Sequence, residues 1–136
     1  MTSIVSADLS AQVATVRRLL DTVARGDQEA MRACFTEEFV FHVPGDSRVS
    51  GDHRGWVGYL EFVGLLRSLS NGTFHSETLD VLVGEHTIVM YQRNTAEREG
   101  KRLDFKGFYL LHFDGDRIAS IRSSYEDQSL LTEFWG

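Results

Sequence analysis

Apolar residues recur every three to four positions in the first third of the chain and again between positions 55 and 70, then alternate with polar residues from about position 74 onward. The first pattern is that of helices with one buried face, the second that of strands with one buried face. Val13, Val16, Leu20 and Val23 define a first helix that starts near Asp8 or Ser10 and stops at Gly26, a residue free to adopt the left-handed conformation that ends helices. Asp27 then serves as the N-cap of a short second helix, with Ala30, Met31, Cys34 and Phe35 on its buried stripe. A strand is predicted over Phe39–Val43, ending at Pro44-Gly45, and the segment Asp46–Arg54 reads as a mobile surface loop and a candidate pocket lip.

Trp56, Tyr59, Leu60, Val63, Leu66 and Leu69 share one side of a third helix from Gly55 to about Ser70, closed by Asn71-Gly72. Four strands follow, at roughly Phe74–Leu82, Thr87–Glu97, Leu103–Phe113 and Arg117–Glu126, joined by three short turns rich in Gly, Asp and Glu. Three consecutive hairpins make an antiparallel meander. Gly107 lies inside the third of these strands and predicts a bulge or bend where the sheet curls. The whole is one domain over residues 1–136, of α+β class, with three N-terminal helices packed on a curved antiparallel sheet as a cone around an apolar pocket.

Composition narrows the function. At 136 residues, 42% hydrophobic and 25% charged, the chain buries a core without help from disulfides or a structural metal. No apolar run reaches the roughly 20 residues that cross a bilayer, and the start of the chain lacks the basic and apolar regions of a secretory signal, so a cytoplasmic, non-membrane protein is expected. A net charge of −6, with Lys and Arg interspersed among acids, argues against a nucleic-acid partner. The single cysteine, Cys34, reads as a packed core thiol. The five histidines show no metal-ligand spacing and there is no phosphate loop or nucleophile elbow, so neither a metal nor another cofactor is expected.

Four stretches, Ala24 to Gly45, Ser50 to Trp56, Arg98 to Arg102 and Phe113 to Ile118, resemble the SnoaL-like branch of the ketosteroid isomerase and nuclear-transport-factor-2-like superfamily, and the similarity extends over nearly the whole chain. The resemblance implies the cone fold, a cofactor-independent isomerase, cyclase or dehydratase acting on an apolar oxygenated substrate of polyketide or steroid type, and a homodimer joined through the outer sheet face. It also implies where catalytic groups would stand: a phenol at Leu19, a carboxylate base at Val43, a protonated acid at Tyr109 and, in the SnoaL-type cyclases, an acid at Ser123. None of these positions holds the expected group. Without a base at Val43, true ketosteroid isomerase chemistry loses a contribution of roughly 10²–10⁴-fold. A non-catalytic binder or carrier of a small hydrophobic ligand is the alternative, and an interaction module using the sheet face is a third.

The match and strand alternation select an inner face: Met90, Gln92 and Asn94, then Phe105, Gly107 and Tyr109, then Ser123 and Tyr125, with Val43, Trp56 and Tyr59 contributed by the earlier elements. Its polar groups are neutral amides and hydroxyls, suited to orienting a carbonyl or hydroxyl, or else to satisfying one another. Tyr109 and Tyr125 are either donors to a developing oxyanion or core aromatics. His42 neighbours the missing base, although alternation turns it to the opposite face from Val43; it is either a replacement base or an outward, hydrogen-bonded histidine. Asp127 follows the inner parity of the last strand near the expected mouth, as a candidate acid or base or as a solvated strand end. Val89, Tyr91, Phe108, Leu110 and Ile118 fall on the outer face, and Phe134 and Trp135 either close the cone or dock on a partner.

Overall fold

The computed structural model describes residues 7–136. Helix α1 (Ala7–Arg25) buries Leu9, Val16 and Leu19, and Thr15 ties it to the final hairpin by donating from Oγ1 to the Asp116 carbonyl at 2.6 Å. Gly26 follows with φ of +68°, the left-handed stop that its lack of a Cβ permits. The Asp27 side chain accepts from the Ala30 amide and starts α2 (Gln28–Arg32), which buries none of its own residues. The chain becomes extended earlier than the sequence pattern indicates. Strand β1 spans Phe35–Val43, because the Cys34 carbonyl accepts from the Ile118 amide and draws this segment onto the last strand.

After β1 the loop is folded rather than free. Ser50 Oγ donates to the Pro44 carbonyl, the Ser47 amide donates to Ser50 Oγ, and Val49 is buried at 3% exposure. This turn delivers β2 (Gly51–Arg54) antiparallel to β1, with His42 opposite Asp52 and Val43 opposite Gly51. The expected mobile lip is therefore a closed turn and an edge strand. Helix α3 (Gly55–Leu69) packs on β1 and β2, with Phe62 and Leu66 buried.

The meander β3 (His75–Val83), β4 (Ile88–Arg98), β5 (Lys101–Asp114) and β6 (Arg117–Tyr125) matches the predicted hairpins, and β1 joins it parallel to β6. The resulting six-stranded sheet has the order β2-β1-β6-β5-β4-β3. Its irregularities lie between Thr78 and Asp80, between His112 and Phe113, and between Phe35 and Val40. Gly107 is not one of them: it pairs regularly with Gln92 on one side and Tyr125 on the other. A Cβ there would lie 2.9 Å from Tyr125 Cδ1, so the missing side chain makes room for a tyrosine ring instead of bending the strand. The shift at His112/Phe113 also turns Ile118 inward, to 0% exposure, against the outer placement expected from simple alternation.

A fourth helix, α4 (Gln128–Trp135), was not foreseen. Asp127 caps it, and Leu131, Phe134 and Trp135 at i, i+3 and i+4 are buried, with Trp135 against Phe134 and Phe74. Trp135 thus closes the cone within its own chain.

Candidate functional site

Helices α1, α3 and α4 cover the concave face of the sheet and leave a cavity of about 290 Å³ between them. Phe41 and Val43 of β1, Met90, Gln92 and Asn94 of β4, Phe105 and Tyr109 of β5, and Ile121 and Tyr125 of β6 form its sheet wall. Leu19, Tyr59, Phe62 and Leu66 form the helical wall, while Val49 and Trp135 add apolar cover. The solvent-exposed members of the lining, Val23, Arg67, Gly72 and Ser76, place the mouth between the end of α1, the end of α3 and the start of β3.

The chemistry of this lining is narrow. Among the described residues no Asp, Glu or His lines the cavity, and Arg67 at the rim is its one charged side chain. Leu19, Val43 and Tyr109, the three positions matched to catalytic groups of the isomerases, all border the same space, so the missing base at Val43 leaves an apolar wall there. Three phenols, those of Tyr59, Tyr109 and Tyr125, border the cavity. Burial pushes Tyr59 up to about 12. Burial raises Tyr109 further, reinforced by the neighbouring Tyr125 and opposed by the hydrogen bond from Asn94. Tyr125 is also raised by burial, against the pull of the Ser123 and Tyr109 hydroxyls. All three therefore remain protonated at neutral pH and act as donors, not as bases.

Asn94, 1% exposed, donates from Nδ2 to the Tyr109 phenol oxygen at 2.8 Å. Its Oδ1 is buried without a partner, and so is the Ser123 hydroxyl, which lies beside Tyr125 without making a hydrogen bond of ordinary geometry. Gln92 is satisfied from β3 instead: it donates to Thr78 Oγ1 at 3.2 Å and accepts from Ser76 Oγ at 3.1 Å. The expectation that Gln92, Asn94 and Ser123 satisfy one another does not hold, because Gln92 points toward the edge strand and the other two keep an unpaired oxygen each.

Four of the sequence-derived candidates stand outside the cavity. His42 faces the outer side of β1, where its Nδ1 lies 2.6 Å from Asp52 Oδ1; strand parity turns it away from Val43, and no bulge before Pro44 reverses it. That hydrogen bond is the main reason the Asp52 carboxyl sits below its usual range. Asp127 is exposed and committed to α4, accepting from the Ser129 hydroxyl at 2.5 Å and the Ser129 amide at 3.1 Å; the hydroxyl is the main cause of its lowered pKa. It is not a proton donor for the cavity. Trp56 stacks on Tyr59 at 5.6 Å behind the wall, and Ser123 lies beneath the surface of the lining. The sequence reading missed the contributions of Ser76 and Thr78 and of Phe62 and Leu66, and of the α4 pair Leu131 and Trp135 it named Trp135 alone, as closing the cone or docking on a partner. The last pair was signalled by apolar residues at helical spacing in the final eight positions.

The SnoaL-like domain family matches residues 16–121, which include most of the sheet and two of the helices that enclose this cavity. The chain belongs to the SnoaL-like family. An uncharacterized protein of Mycobacterium tuberculosis is 30% identical to it over 121 residues, covering 88% of this chain and 92% of that protein. The structure of Bal32a, from a soil-derived mobile gene cassette, superposes with a TM-score of 0.86 at 32% identity, covering 95% of this chain and 99% of the other. At the level of fold alone, a protein from Jannaschia sp. CCS1 assigned as a SnoaL-like polyketide cyclase superposes with a TM-score of 0.73 at 17% identity, over 96% of each chain. Nuclear-transport-factor-2-like and cystatin-like proteins share this α+β architecture. Among the described residues no helix of this SnoaL-like chain is long and apolar enough to cross a membrane, and no cluster of His, Cys, Asp or Glu is suited to a metal.

Proposed function

We propose that this SnoaL-like protein captures a small, mainly apolar molecule bearing a carbonyl or hydroxyl oxygen, and that the buried amide and phenol groups of Asn94, Tyr109 and Tyr125 hold that oxygen. The observation that carries this reading is the lining itself: a largely apolar cavity with one mouth, whose inner polar groups among the described residues are all neutral donors or acceptors. A volume of about 290 Å³ lies at the lower end of the range of small-molecule pockets.

The enzymatic reading open to this cavity is polarisation. A phenol at Tyr109, kept protonated by burial, stabilises negative charge developing on a substrate carbonyl, the role of an oxyanion donor. Cyclisation, isomerisation or dehydration of a carbonyl compound is the reaction class that uses such a donor, and the cyclase assignment of the Jannaschia relative supports that direction. Among the described residues no carboxylate or imidazole lines the cavity, which favours the second reading, a binder or carrier, because general acid–base chemistry needs a group that exchanges a proton near neutral pH. The deciding experiment is to extract the purified protein for retained ligand by mass spectrometry and to screen cyclic ketones by thermal shift, with wild type and Tyr109→Phe side by side. Turnover of a bound ketone that is lost in Tyr109→Phe establishes the enzyme; stoichiometric binding with unchanged ligand establishes the carrier. If no compound of this size stabilises the wild type, the cavity is not a ligand site and both readings fall.

We also propose a homodimer through the outer sheet face. Tyr91 and Phe108 stack there at 4.9 Å, Phe108 remains 42% exposed and Leu82 47%, an apolar surface of the kind that association covers. Sedimentation of wild type against Phe108→Lys tests it: a dimer that splits supports the proposal, and a monomeric wild type removes it.

A further inference from the structure

Arg67 stands by itself at the mouth of an otherwise uncharged cavity. It belongs to the last turn of α3, is solvent-exposed, and is the one charged side chain among the described residues that line the space. Its guanidinium makes no ion pair or hydrogen bond with any of the described residues. A basic side chain in a final helical turn commonly serves the last carbonyls. Here the backbone fills that role: the Leu66, Arg67 and Ser68 carbonyls accept from the Ser70, Gly72 and Asn71 amides. The Ser76, Gln92 and Thr78 side chains of the lining are engaged with one another, Ser76 donating to Gln92 and Gln92 to Thr78. Arg67 therefore offers its five N–H donors and a full positive charge to whatever enters.

We infer that the ligand of this cavity is an amphipathic anion, with an apolar ring body inside and a carboxylate at the mouth held on the Arg67 guanidinium. The inference rests on the reading of the cavity as a binding site and adds the charge and the orientation to it. Orientation follows from the lining. Leu19, Phe41, Val43, Phe62 and Phe105 offer an ion no partner, and an ionised carboxylate taken in among them costs far more than the same group kept at a wetted rim. At the rim the planar guanidinium fork matches the two carboxylate oxygens, through charge-assisted hydrogen bonds roughly twice as strong as neutral ones. The surroundings otherwise disfavour an anion: the C-terminal end of α3 is the negative end of its dipole, and the chain carries a net charge of −6. A preference for an acid over its neutral analogue therefore reports on Arg67 itself.

The test uses 2-naphthylacetate and its primary amide, probes of nearly the same shape that differ in charge at neutral pH. Both are titrated calorimetrically into the wild-type chain, into Arg67→Gln and into Arg117→Gln, the last changing an exposed arginine outside the lining so that net charge is matched. At low ionic strength the wild type is expected to bind the acid on the order of tenfold more tightly than the amide. Sodium chloride at about 0.5 M should shrink that ratio. In Arg67→Gln the acid loses its advantage while the amide binds as before, and in Arg117→Gln the advantage stays. An amide that binds the wild type as well as the acid does overturns the inference and leaves the binding-site reading standing. A preference that survives in Arg67→Gln overturns the assignment to this residue, and one lost equally in Arg117→Gln is an effect of net charge and overturns it too. If neither probe binds, the inference falls, and the ketone screen decides the binding-site reading separately.

Discussion

Gly107→Ala is the perturbation whose consequence follows most directly from the packing. The residue sits mid-strand in β5 between Gln92 and Tyr125, outside the left-handed region, so alanine meets no backbone strain there. The added methyl would lie 2.9 Å and 3.2 Å from Tyr125 Cδ1 and Cε1, and 3.3 Å from Tyr109 Cε2. Neither ring has a free end at the contact: Tyr125 is edge-on to Phe105 at 5.2 Å and to Tyr109 at 6.3 Å, so the collision is relieved only by moving aromatic groups already in contact. Overpacking of this kind costs about 1–3 kcal/mol. The substitution also restricts the unfolded chain, which returns about 0.4–1 kcal/mol. The net expectation is a loss of up to about 2.6 kcal/mol, centred on about 1.3 kcal/mol, which for a chain of this length lowers the unfolding midpoint by roughly 4 °C. Gly64→Ala is the internal control: it lies inside α3 with nothing within 4 Å of the new methyl, so it should gain about 0.5–1 kcal/mol by helix propensity. Thermal and urea unfolding followed by circular dichroism measure both. Since the displaced ring belongs to the cavity wall, ketone binding should weaken in Gly107→Ala and not in Gly64→Ala. Adding Gly107→Ala to Tyr125→Ala should cost little, because the ring that the methyl strikes is gone. A midpoint raised for Gly107→Ala as it is for Gly64→Ala would show that the Tyr125 ring does not occupy the notch over Gly107, and the account of the cavity wall would fail with it.

Three further outcomes test separate parts of the structure. Tyr109→Phe leaves Asn94 with both ends of its amide unpaired and should cost about 1–3 kcal/mol, whereas the double variant Asn94→Leu/Tyr109→Phe removes both polar partners and should recover much of that loss in urea unfolding. Asp127→Asn should lower the unfolding temperature while leaving ligand affinity unchanged, since the carboxylate caps α4 and does not reach the cavity. Because the folded-state pKa of Asp127 is depressed below the ordinary 3.8, its stabilisation is present above that value and fades as the pH falls through the lower folded value; the gap between wild type and Asp127→Asn should therefore close in strong acid and stay constant from pH 5 to 8. Trp135→Ala removes a side chain that is 1% exposed and closes one end of the cavity, and should cost about 3–5 kcal/mol and abolish the thermal shift given by any cyclic ketone that stabilises the wild type.

What the sequence by itself determined was local in origin. The alternation of Met90, Gln92 and Asn94, and of Phe105, Gly107 and Tyr109, assigns the inner face of the meander because side chains on a strand point to alternate faces wherever the strand lies. The same parity turns His42 away from Val43, and it left the inner wall without a carboxylate once Val43 and Tyr109 stood where the family's acids stand. The tertiary structure decided what depends on contacts between distant segments. Strand β1 starts at Phe35 because the Cys34 carbonyl meets the Ile118 amide, a pairing across more than eighty residues that no local pattern announces. The segment taken for a loose lip became a turn and an edge strand only because β1 was there to pair with Gly51–Arg54. Asp127 left the last strand to cap α4 because Leu131, Phe134 and Trp135 had a cavity end to bury against, and the mouth consequently opened beside Arg67 and Ser76 instead. The burial of the Asn94 amide is likewise a tertiary fact: residue type supplies the amide, but only the closure of three helices over the sheet takes it out of solvent.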